Sequence, residues 1–296
     1  MAVTEVLRRF NRTYTQRIGA LDESFLGLGL PLGAARLVFE IGEAGATVRD
    51  LRARLDLDSG QLARQLRRLE DDGLVEVAPD PEDRRRRTAR LTAKGRALRV
   101  RLDDRSEELA RRLVEPLTDR QQERLTQALA TADLLVRAAT VDIRSVDPET
   151  DEARTAISLY FAELDRRFPD GFDPGPTTSE DMSPAQGGAF VLATSEAAPV
   201  ACGGVRDLGD GVGEIKRMWV HDDWRGAGLG SRLLRHLEGV SRTLGHRVVR
   251  LDTNRTLVEA VSMYERSGYR HIERYNDNPY AQAFFEKDFT ELGHRP

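Results

Sequence analysis

Three glycines at alternate positions mark the segment of this 296-residue chain that is best suited to bind an anion. They lie within Arg225–Gly230 (Arg-Gly-Ala-Gly-Leu-Gly), between a strand-like run, 213–220, and a helical run, 231–238. Glycine disfavours the interior of a strand or helix, but it lets a loop backbone approach a ligand closely. Because the first amides of a helix point outward and the helix dipole is positive there, this loop is suited to a diphosphate.

Several folds use a glycine-rich loop for phosphate, so the spacing of the glycines decides between them. A dinucleotide-binding fingerprint needs a third glycine where this chain has Ser231, and the Gly-Lys-Ser/Thr end of a Walker loop is absent. The pattern Arg/Gln-x-x-Gly-x-Gly after a strand is present as Arg225 to Gly230. It resembles the acetyl-CoA pyrophosphate loop of the GNAT acetyltransferases. The alternative is a glycine-rich turn that binds nothing.

The order of elements around the loop supports the same resemblance. From residue 142 onward the patterns predict a strand, a helix, three strands, a helix, a strand, a helix and two final strands at 269–275 and 284–289, which is the GNAT order. The segment 262–269, Ser-Met-Tyr-Glu-Arg-Ser-Gly-Tyr, is similar to the family's Leu-Tyr-Glu-x-x-Gly-Phe segment. We therefore expect residues 142–296 to form an α/β GNAT domain with a mixed, mostly antiparallel sheet.

The resemblance implies roles for particular residues. Tyr264 matches the tyrosine that protonates the leaving CoA thiolate, although it could instead only pack its helix on the sheet. Glu214 stands where some members place a general base, whereas others deprotonate the amine through water. The implied cofactor is acetyl-CoA. Its candidate contacts are Met218, Trp219, Val220, Arg225, Gly226, Ala227, Gly228, Leu229, Gly230 and Ser231, with Asn254 substituting for a family asparagine that is Leu257 here.

The acceptor in this chemistry is a primary amine, which has a pKa of about 10.4 and must lose a proton before it attacks. Two groups of polar residues are candidates for binding it. Lys216 and Arg217 on the central strand could hold a carboxylate, although Arg217 could also form an ordinary salt bridge. The other candidates are Tyr275, Asn276, Asn278 and Tyr280. These residues suggest a small, amino-acid-like amine. The five histidines show no ligand spacing, so no metal is expected, and Cys202 lies in an apolar strand, which favours packing over a nucleophilic role.

The first half of the chain contains a predicted helix-turn-helix. Thr47 is placed to cap a helix ending at Leu55, and Asp58 or Ser59 to cap a second helix whose leucines, 62, 66 and 69, form an apolar stripe. The opposite face carries the candidate DNA-binding residues Ser59, Gln61, Arg64, Gln65 and Arg68. Arginine and glutamine can read guanine and adenine in the major groove, although a solvated polar face is the alternative.

A basic hairpin follows this helix. Residues 74–77 and 84–91 are predicted as strands, and four guanidinia, Arg84, Arg85, Arg86 and Arg87, lie where a wing would contact DNA phosphates. The order resembles the MarR family of winged-helix regulators, as do Gly73 and the segment 91–95, Leu-Thr-Ala-Lys-Gly. Residues 1–141 are therefore expected to form a mostly-α winged helix-turn-helix domain. The resemblance implies a homodimer through its N- and C-terminal helices, bound to a pseudo-palindromic double-stranded operator.

The composition fits a globular protein, with 40% hydrophobic and 32% charged residues and a formal net charge of −4. A single cysteine excludes an intrachain disulfide framework, and no run of about 18 apolar residues suggests a membrane span. With no signal-peptide pattern at its start, the chain is expected to be cytoplasmic and without a membrane partner. Two rival interpretations remain: an enzyme whose winged helix only dimerises, and a regulator that only senses acetyl-CoA.

Overall fold

The computed structural model describes residues 2–80, 83, 85–175, 179–195 and 198–290. The chain divides into two compact units, Met1–Ala128 and Leu129–Pro296. This division falls inside a helix, whereas the sequence places the domain boundary at 141/142, where that helix ends. The last turns of the helix belong to the second unit because Arg232 donates to the carbonyls of Ala138 and Val141.

The first unit is mostly helical, as expected. Its elements are α1 (Val3–Arg17), α2 (Leu32–Ile41), β1 (Ala46–Thr47), α3 (Val48–Leu55), α4 (Ser59–Asp71), β2 (Val75–Pro79), β3 (Arg87–Leu91) and α5 (Ala93–Val114), and α6 (Asp119–Thr140) crosses into the second unit. The strands form one antiparallel sheet in the order β1-β3-β2. The two-residue strand β1 has no periodic pattern of its own and was not predicted.

Side-chain caps fix the two helices of the helix-turn-helix. The Thr47 hydroxyl accepts from the Asp50 amide at 3.1 Å, and Asp58, not Ser59, accepts from the Gln61 amide at 2.8 Å. The leucine stripe of α4 is buried in the core of the unit. The pattern that predicted α4 is therefore the pattern that packs it.

The segment 91–95 joins the wing to the preceding helix. Thr92 donates to the Gly73 carbonyl at 2.8 Å, and Lys94 donates to the Asp72 carbonyl at 2.7 Å. A Cβ on Gly95 would lie only 2.0 Å from the Leu74 carbonyl oxygen, so glycine is required for this close approach. These contacts give the MarR-like motif a structural purpose, which is to terminate α4 and start α5 beside it.

The second unit is an α/β sandwich around a seven-stranded sheet. Its elements are β4 (Asp142–Val146), α7 (Asp151–Arg167), β5 (Ala189–Ser195), β6 (Ala198–Asp207), β7 (Val212–Val220), α8 (Leu229–Thr243), β8 (Val248–Thr253), α9 (Val258–Arg266), β9 (Arg270–His271) and β10 (Ala283–Asp288). The strand order is β4-β5-β6-β7-β8-β10-β9. Only the β7–β8 pair is parallel among the strands described, so the predicted mixed, mostly antiparallel sheet is confirmed.

Alternation along the central strands places cores on both faces of the sheet. On β5, Phe190 and Leu192 pack in the cluster that contains α7, whereas Val191 and Ala193 pack in the cluster that contains α8. This period of two is what a sheet covered on both faces requires. The strand predicted at 269–275 is the main difference, because only Arg270–His271 pairs with β10.

Two irregularities in β7 open the sheet at its centre. The register with β8 runs from Val212 opposite Val248 to Ile215 opposite Leu251, while β7 continues to Val220. The register with β6 shifts between Cys202 and Gly204, and Arg217, opposite this shift, has a φ of +53°. A bulge of this kind bends a strand and re-aims its side chains.

The helices of the described ranges are each too short or too polar to span a membrane.

Candidate functional site

The glycine-rich loop has the geometry expected of an anion site at a helix start. Gly226 and Gly228 have φ of +80° and +77°, and a Cβ on either would meet no heavy atom within 4 Å. Backbone conformation, not crowding, therefore selects glycine at both positions. Gly228 caps α8, whose first amides have no partner within the helix. The Arg225 amide is already used, because it donates to the Asp222 carbonyl at 3.1 Å.

A buried carboxylate holds this loop against the central strand. Glu163 of α7 accepts from Trp219 Nε1 at 2.7 Å, from the Arg225 guanidinium, and from Arg167 at 3.3 Å. Arg225 also donates to the Val220 carbonyl at 3.0 Å and pairs with Asp222. Arg225 therefore positions the loop instead of extending toward a diphosphate. No sequence pattern around Glu163 indicates this role.

The loop forms one side of a cleft with a cavity volume of about 400 Å³. Of the predicted cofactor contacts, Met218, Trp219, Val220, Arg225, Gly226, Gly228, Leu229, Gly230 and Ser231 line it. Ala227 instead packs against the core of the unit. Hereafter we call this space the loop cleft. It is flanked by the part of β7 that extends beyond its pairing with β8.

A second cavity of about 460 Å³ lies beside the loop cleft. We call it the aromatic cavity, because Tyr160, Phe161, Phe168, Phe172 and Tyr280 line it. Six residues line both spaces and define their junction: Tyr160, Leu164, Met218, Leu257, Ala260 and Tyr264. A molecule in each cavity would therefore meet the other at this junction.

Tyr264 lies at the junction and is only 5% exposed. Its hydroxyl lies 3.9 Å from Met218 Sδ. Burial raises the pKa of Tyr264 above its ordinary value, and the negative charge of Asp252 raises it further. The phenol is therefore protonated at neutral pH, which is the state that a proton donor needs.

Glu214 is fully buried in a network of donors. Its carboxylate accepts from Arg206 Nε, from the Tyr275 hydroxyl at 2.8 Å and from Asn276 Nδ2 at 3.2 Å, and Lys216 Nζ lies 3.6 Å away. Glu214 is not among the described residues that line either cavity. The structure thus places the predicted base behind the cavity wall.

Another carboxylate, Asp252 near the end of β8, does line the aromatic cavity. Its Oδ2 accepts from Asn276 Nδ2 and Asn278 Nδ2, both at 2.9 Å, and its Oδ1 lies 3.5 Å from Lys216 Nζ. Asn276 thus bridges Asp252 and Glu214. Asp252 was missed because nothing in its strand distinguishes it from an ordinary surface aspartate.

The predicted acceptor contacts separate into two groups. Lys216, Arg217, Asn278 and Tyr280 line the aromatic cavity. Tyr275 and Asn276 lie behind it, on the buried carboxylates. Asn254, predicted to contact the cofactor, lines the aromatic cavity and donates to the Tyr280 carbonyl at 2.8 Å.

Among the described residues, no group of three or more His, Cys, Asp or Glu is arranged to hold a metal.

Most of the predicted DNA-binding side chains on α4 in the first unit are exposed to solvent, as contact with DNA bases would require. Ser59, Gln61, Arg64 and Arg68 are exposed, while Gln65 is half-buried. In the wing, Arg85 is exposed and Arg86 pairs with Asp83 at 3.2 Å. Arg87 folds back to the Val77 carbonyl at 3.3 Å. Arg84 lies outside the described residues.

Comparison with family models matches both halves of the chain. Residues 157–269 match the acetyltransferase (GNAT) family, and residues 28–86 match the MarR family. The GNAT match spans the loop, the junction and most of both cavities. The MarR match spans the helix-turn-helix and the start of the wing.

Individual relatives give the same division. An IAA acetyltransferase of Azospirillum brasilense is 30% identical over 120 residues, which are 38% of this chain and 76% of the relative. An uncharacterized N-acetyltransferase of Schizosaccharomyces pombe is 28% identical over 134 residues, 44% of this chain and 82% of the relative. The HTH-type transcriptional regulator TtmR of Methylorubrum extorquens is 44% identical over 61 residues, 21% of this chain and 31% of the relative.

Proposed function

Because this chain belongs to the GNAT acetyltransferase family and carries a MarR-family region, we propose that it both transfers acetyl groups and binds DNA. The donor is acetyl-CoA. The acceptor is the primary amine of a small, amino-acid-like molecule. The DNA is a pseudo-palindromic operator bound by a homodimer.

The observation that carries the enzymatic proposal is the junction of the two cavities at Tyr264. The amides of the loop favour the diphosphate of acetyl-CoA on one side, and polar and aromatic groups receive the amine on the other. The thioester and the amine would then meet beside a protonated phenol. Holding two reactants in this way supplies much of the rate enhancement in bimolecular transfers.

The proposed mechanism is direct transfer. The neutral amine attacks the thioester carbonyl, a C–N bond forms, and the C–S bond breaks as the tetrahedral intermediate collapses. Tyr264 donates its proton to the departing thiolate, which gives the thiol. Neither a nucleophilic side chain nor a metal is needed. Cys202 is buried in β6, and burial raises the pKa of its thiol to about 12, so it is not a competing nucleophile.

The DNA-binding proposal rests on surfaces of the first unit. The exposed face of α4 supplies base-reading side chains, and the wing supplies guanidinia for phosphates. Helix α1 buries none of its residues, yet Val6, Leu7, Phe10 and Tyr14 form an apolar stripe along it. An exposed stripe of this kind fits a dimer interface, and a two-fold dimer would read two half-sites.

The test is CoA-thiol release from acetyl-CoA with a panel of small amines, amino acids and peptides, measured with and without promoter DNA from upstream of the gene. Release with a small amine supports the enzyme, and a DNA-dependent rate would show coupling between the halves. Acetylation of proteins or peptides alone would remove the small-molecule proposal. Saturable acetyl-CoA binding without any release would favour a sensor instead.

A further inference from the structure

We propose that the aromatic cavity selects a zwitterionic α-amino acid with an aromatic or large aliphatic side chain, and that Asp252 accepts the proton from its amine. This inference rests on the proposed acetyl transfer and names its substrate class and its base. Three features carry it: an aromatic wall, a balanced set of charges, and the positions of two carboxylates.

The aromatic wall is continuous. Phe161 lies 5.5 Å from Phe172, Phe172 lies 4.8 Å from Tyr280, and Tyr280 stacks on Phe168 at 5.7 Å, measured between ring centroids. Tyr160 extends the wall to the junction, at 5.4 Å from Phe161. The rings come from α7, the segment after it and the β9–β10 connection. Rings clustered in this way favour an apolar, ring-sized substituent on the acceptor.

The charged side chains that line the cavity are equal in number for the two signs. The described lining contains three carboxylates, Asp173, Asp181 and Asp252, and three cations, Arg206, Lys216 and Arg217. Arg206 pairs with Asp181 at 3.1 Å, and Lys216 with Asp252 at 3.5 Å. A polycationic acceptor would need an excess of carboxylates, and a dianionic one an excess of cations. A zwitterion, with one charge of each sign, matches the lining.

Arg217 is the group placed to bind the carboxylate of the acceptor. The β7 bulge aims its side chain into the aromatic cavity, where the guanidinium donates to Ser179 Oγ and lies 5.5 Å above the Phe161 ring. Burial lowers the pKa of Arg217, but arginine stays charged at neutral pH. The guanidinium therefore places a positive charge next to the apolar wall, where it favours the carboxylate of the acceptor.

The positions of the two carboxylates assign the base. Asp252 and Tyr264 line the same cavity, and the negative charge of Asp252 raises the pKa of that phenol. Glu214 has no exposed surface, and Arg206, Tyr275 and Asn276 occupy its oxygens. A base must reach the proton that it removes, directly or through one water. Of the two carboxylates, Asp252 is the one that lines the cavity, so we assign the base to it. Glu214 then acts as a positioning residue through Asn276, which it shares with Asp252.

The proton balance of the step is complete. Asp252 takes one proton from the ammonium, and the nitrogen lone pair then forms the C–N bond. The C–S electron pair leaves with sulfur, which takes the Tyr264 proton. The second amine proton, lost as the amide forms, passes to the tyrosinate or to solvent, and Asp252 releases its own proton to solvent.

The first experiment compares phenylalanine with phenethylamine, which has the same ring and amine but no carboxylate. The wild type should prefer phenylalanine in kcat/KM, and should prefer it over lysine, glutamate and an aminoglycoside. Arg217→Gln should lower kcat/KM for phenylalanine about 30-fold or more, as expected for loss of a charge-assisted pair, while phenethylamine changes less than threefold. Arg255→Gln, an exposed arginine outside both linings, is the matched control.

The second experiment separates the two carboxylates. Asp252→Asn should lower kcat/KM about 100-fold and flatten the acidic limb of its pH profile, while acetyl-CoA affinity, read by tryptophan fluorescence, stays within twofold. Glu214→Gln should keep the limb. The reverse result would restore Glu214 as the base. Turnover of amines but not of apolar amino acids would overturn the substrate class alone, whereas no turnover of any amine would overturn the proposed function.

Discussion

The α4 face and the junction of the two cavities differ in how their functional side chains are held. On α4, Arg64 and Arg68 are exposed, and under the proposed function they would bind DNA. At the junction, Tyr264 is buried, and Glu163 and Asp252 are held by several protein donors each. Phosphate attraction acts over several ångströms and tolerates mobile side chains, whereas proton transfer needs groups fixed within hydrogen-bond reach.

This contrast predicts that substitutions in the two regions should affect different quantities. Near the junction, losing one atom should change chemistry with little effect on ligand affinity. On the surface proposed to face DNA, losing a whole guanidinium should change DNA affinity gradually and in proportion to the charge removed. The substitutions below test this difference, beginning with the largest expected effect.

Tyr264→Phe removes one oxygen at the junction. We expect kcat to fall about 100-fold, because the thiolate loses its proton donor, and acetyl-CoA affinity to stay within twofold. Steady-state thiol release and tryptophan fluorescence measure the two quantities. Tyr269→Phe is the control, since Tyr269 is a buried phenol 5.9 Å away that lines neither cavity. Equal losses of turnover and affinity in Tyr264→Phe would mean that the residue only packs the helix.

Phe10→Glu places a charge in the α1 stripe, where Phe10 and Tyr14 stack at 5.5 Å. If the stripe forms the dimer interface, we expect the dimer to weaken at least tenfold, because a buried carboxylate loses its hydration. Analytical ultracentrifugation measures the dimer, and gel-shift titration should show a parallel loss of operator affinity. A dimer that keeps its wild-type stability would place the interface elsewhere.

The double variant Arg85→Ala/Arg86→Ala tests the wing. Each arginine that neutralises a phosphate contributes about one unit to the salt slope, so the slope of log K against log salt should become shallower by about two for each wing, or about four for the proposed dimer. Arg101→Ala/Arg105→Ala, on exposed positions of α5, should leave the slope unchanged. Fluorescence anisotropy across a salt series gives both slopes. An unaltered slope in the wing variant would remove these arginines from the DNA contact.

Glu286 should give the smallest effect. Burial alone would raise the pKa of this carboxyl, but hydrogen bonds from Arg250 at 2.8 Å and Arg270 at 2.6 Å lower it overall. A lowered pKa stabilises the fold above the unfolded-state pKa of about 4.3, and this stabilisation is lost as pH falls through the lower folded value. Below about pH 4.3, the free energy of unfolding of the wild type should therefore fall by more than that of Glu286→Gln.

Tryptophan fluorescence can measure this loss in the second unit alone. Both tryptophans of the chain, Trp219 and Trp224, lie in that unit. Urea titrations at pH 6 and pH 3.5 would give the free energies of unfolding. If the two proteins respond alike, the arginine pairs do not contribute to stability.

Much of the fold follows from local patterns. The cap at Thr47, the leucines of α4 and the alternation along β5 each predict the element that they also stabilise. The strand expected at 269–275 shows the limit of such patterns, because its ladder with β10 ends at His271 and only the Ile272 amide continues it, donating to the Phe284 carbonyl at 2.9 Å. The pairing of a strand depends on its neighbours in the sheet, which local sequence does not contain.

The candidate site divides in the same way. The loop glycines can be identified from the sequence because their spacing reflects backbone conformation, which is a local property. Glu163 and Asp252 cannot be identified from the sequence, because their hydrogen-bond partners, such as Trp219 and Asn276, lie far away along the chain. Arg217 was identified by type, but the bulge that aims it depends on the register between β6 and β7. Glu214 shows the converse. Its position in the sequence predicted a general base, but tertiary packing buries its carboxylate outside both cavities.

Glu163 also bears on the thermodynamics of cofactor binding. Its carboxylate fastens α7, β7 and the Arg225 loop through bonds among protein groups only. Folding itself therefore immobilises the loop, and that conformational entropy is already lost when a ligand arrives. Calorimetry of acyl-CoA binding should then show a smaller entropic penalty than in Glu163→Gln, where the loop has to become ordered around its ligand.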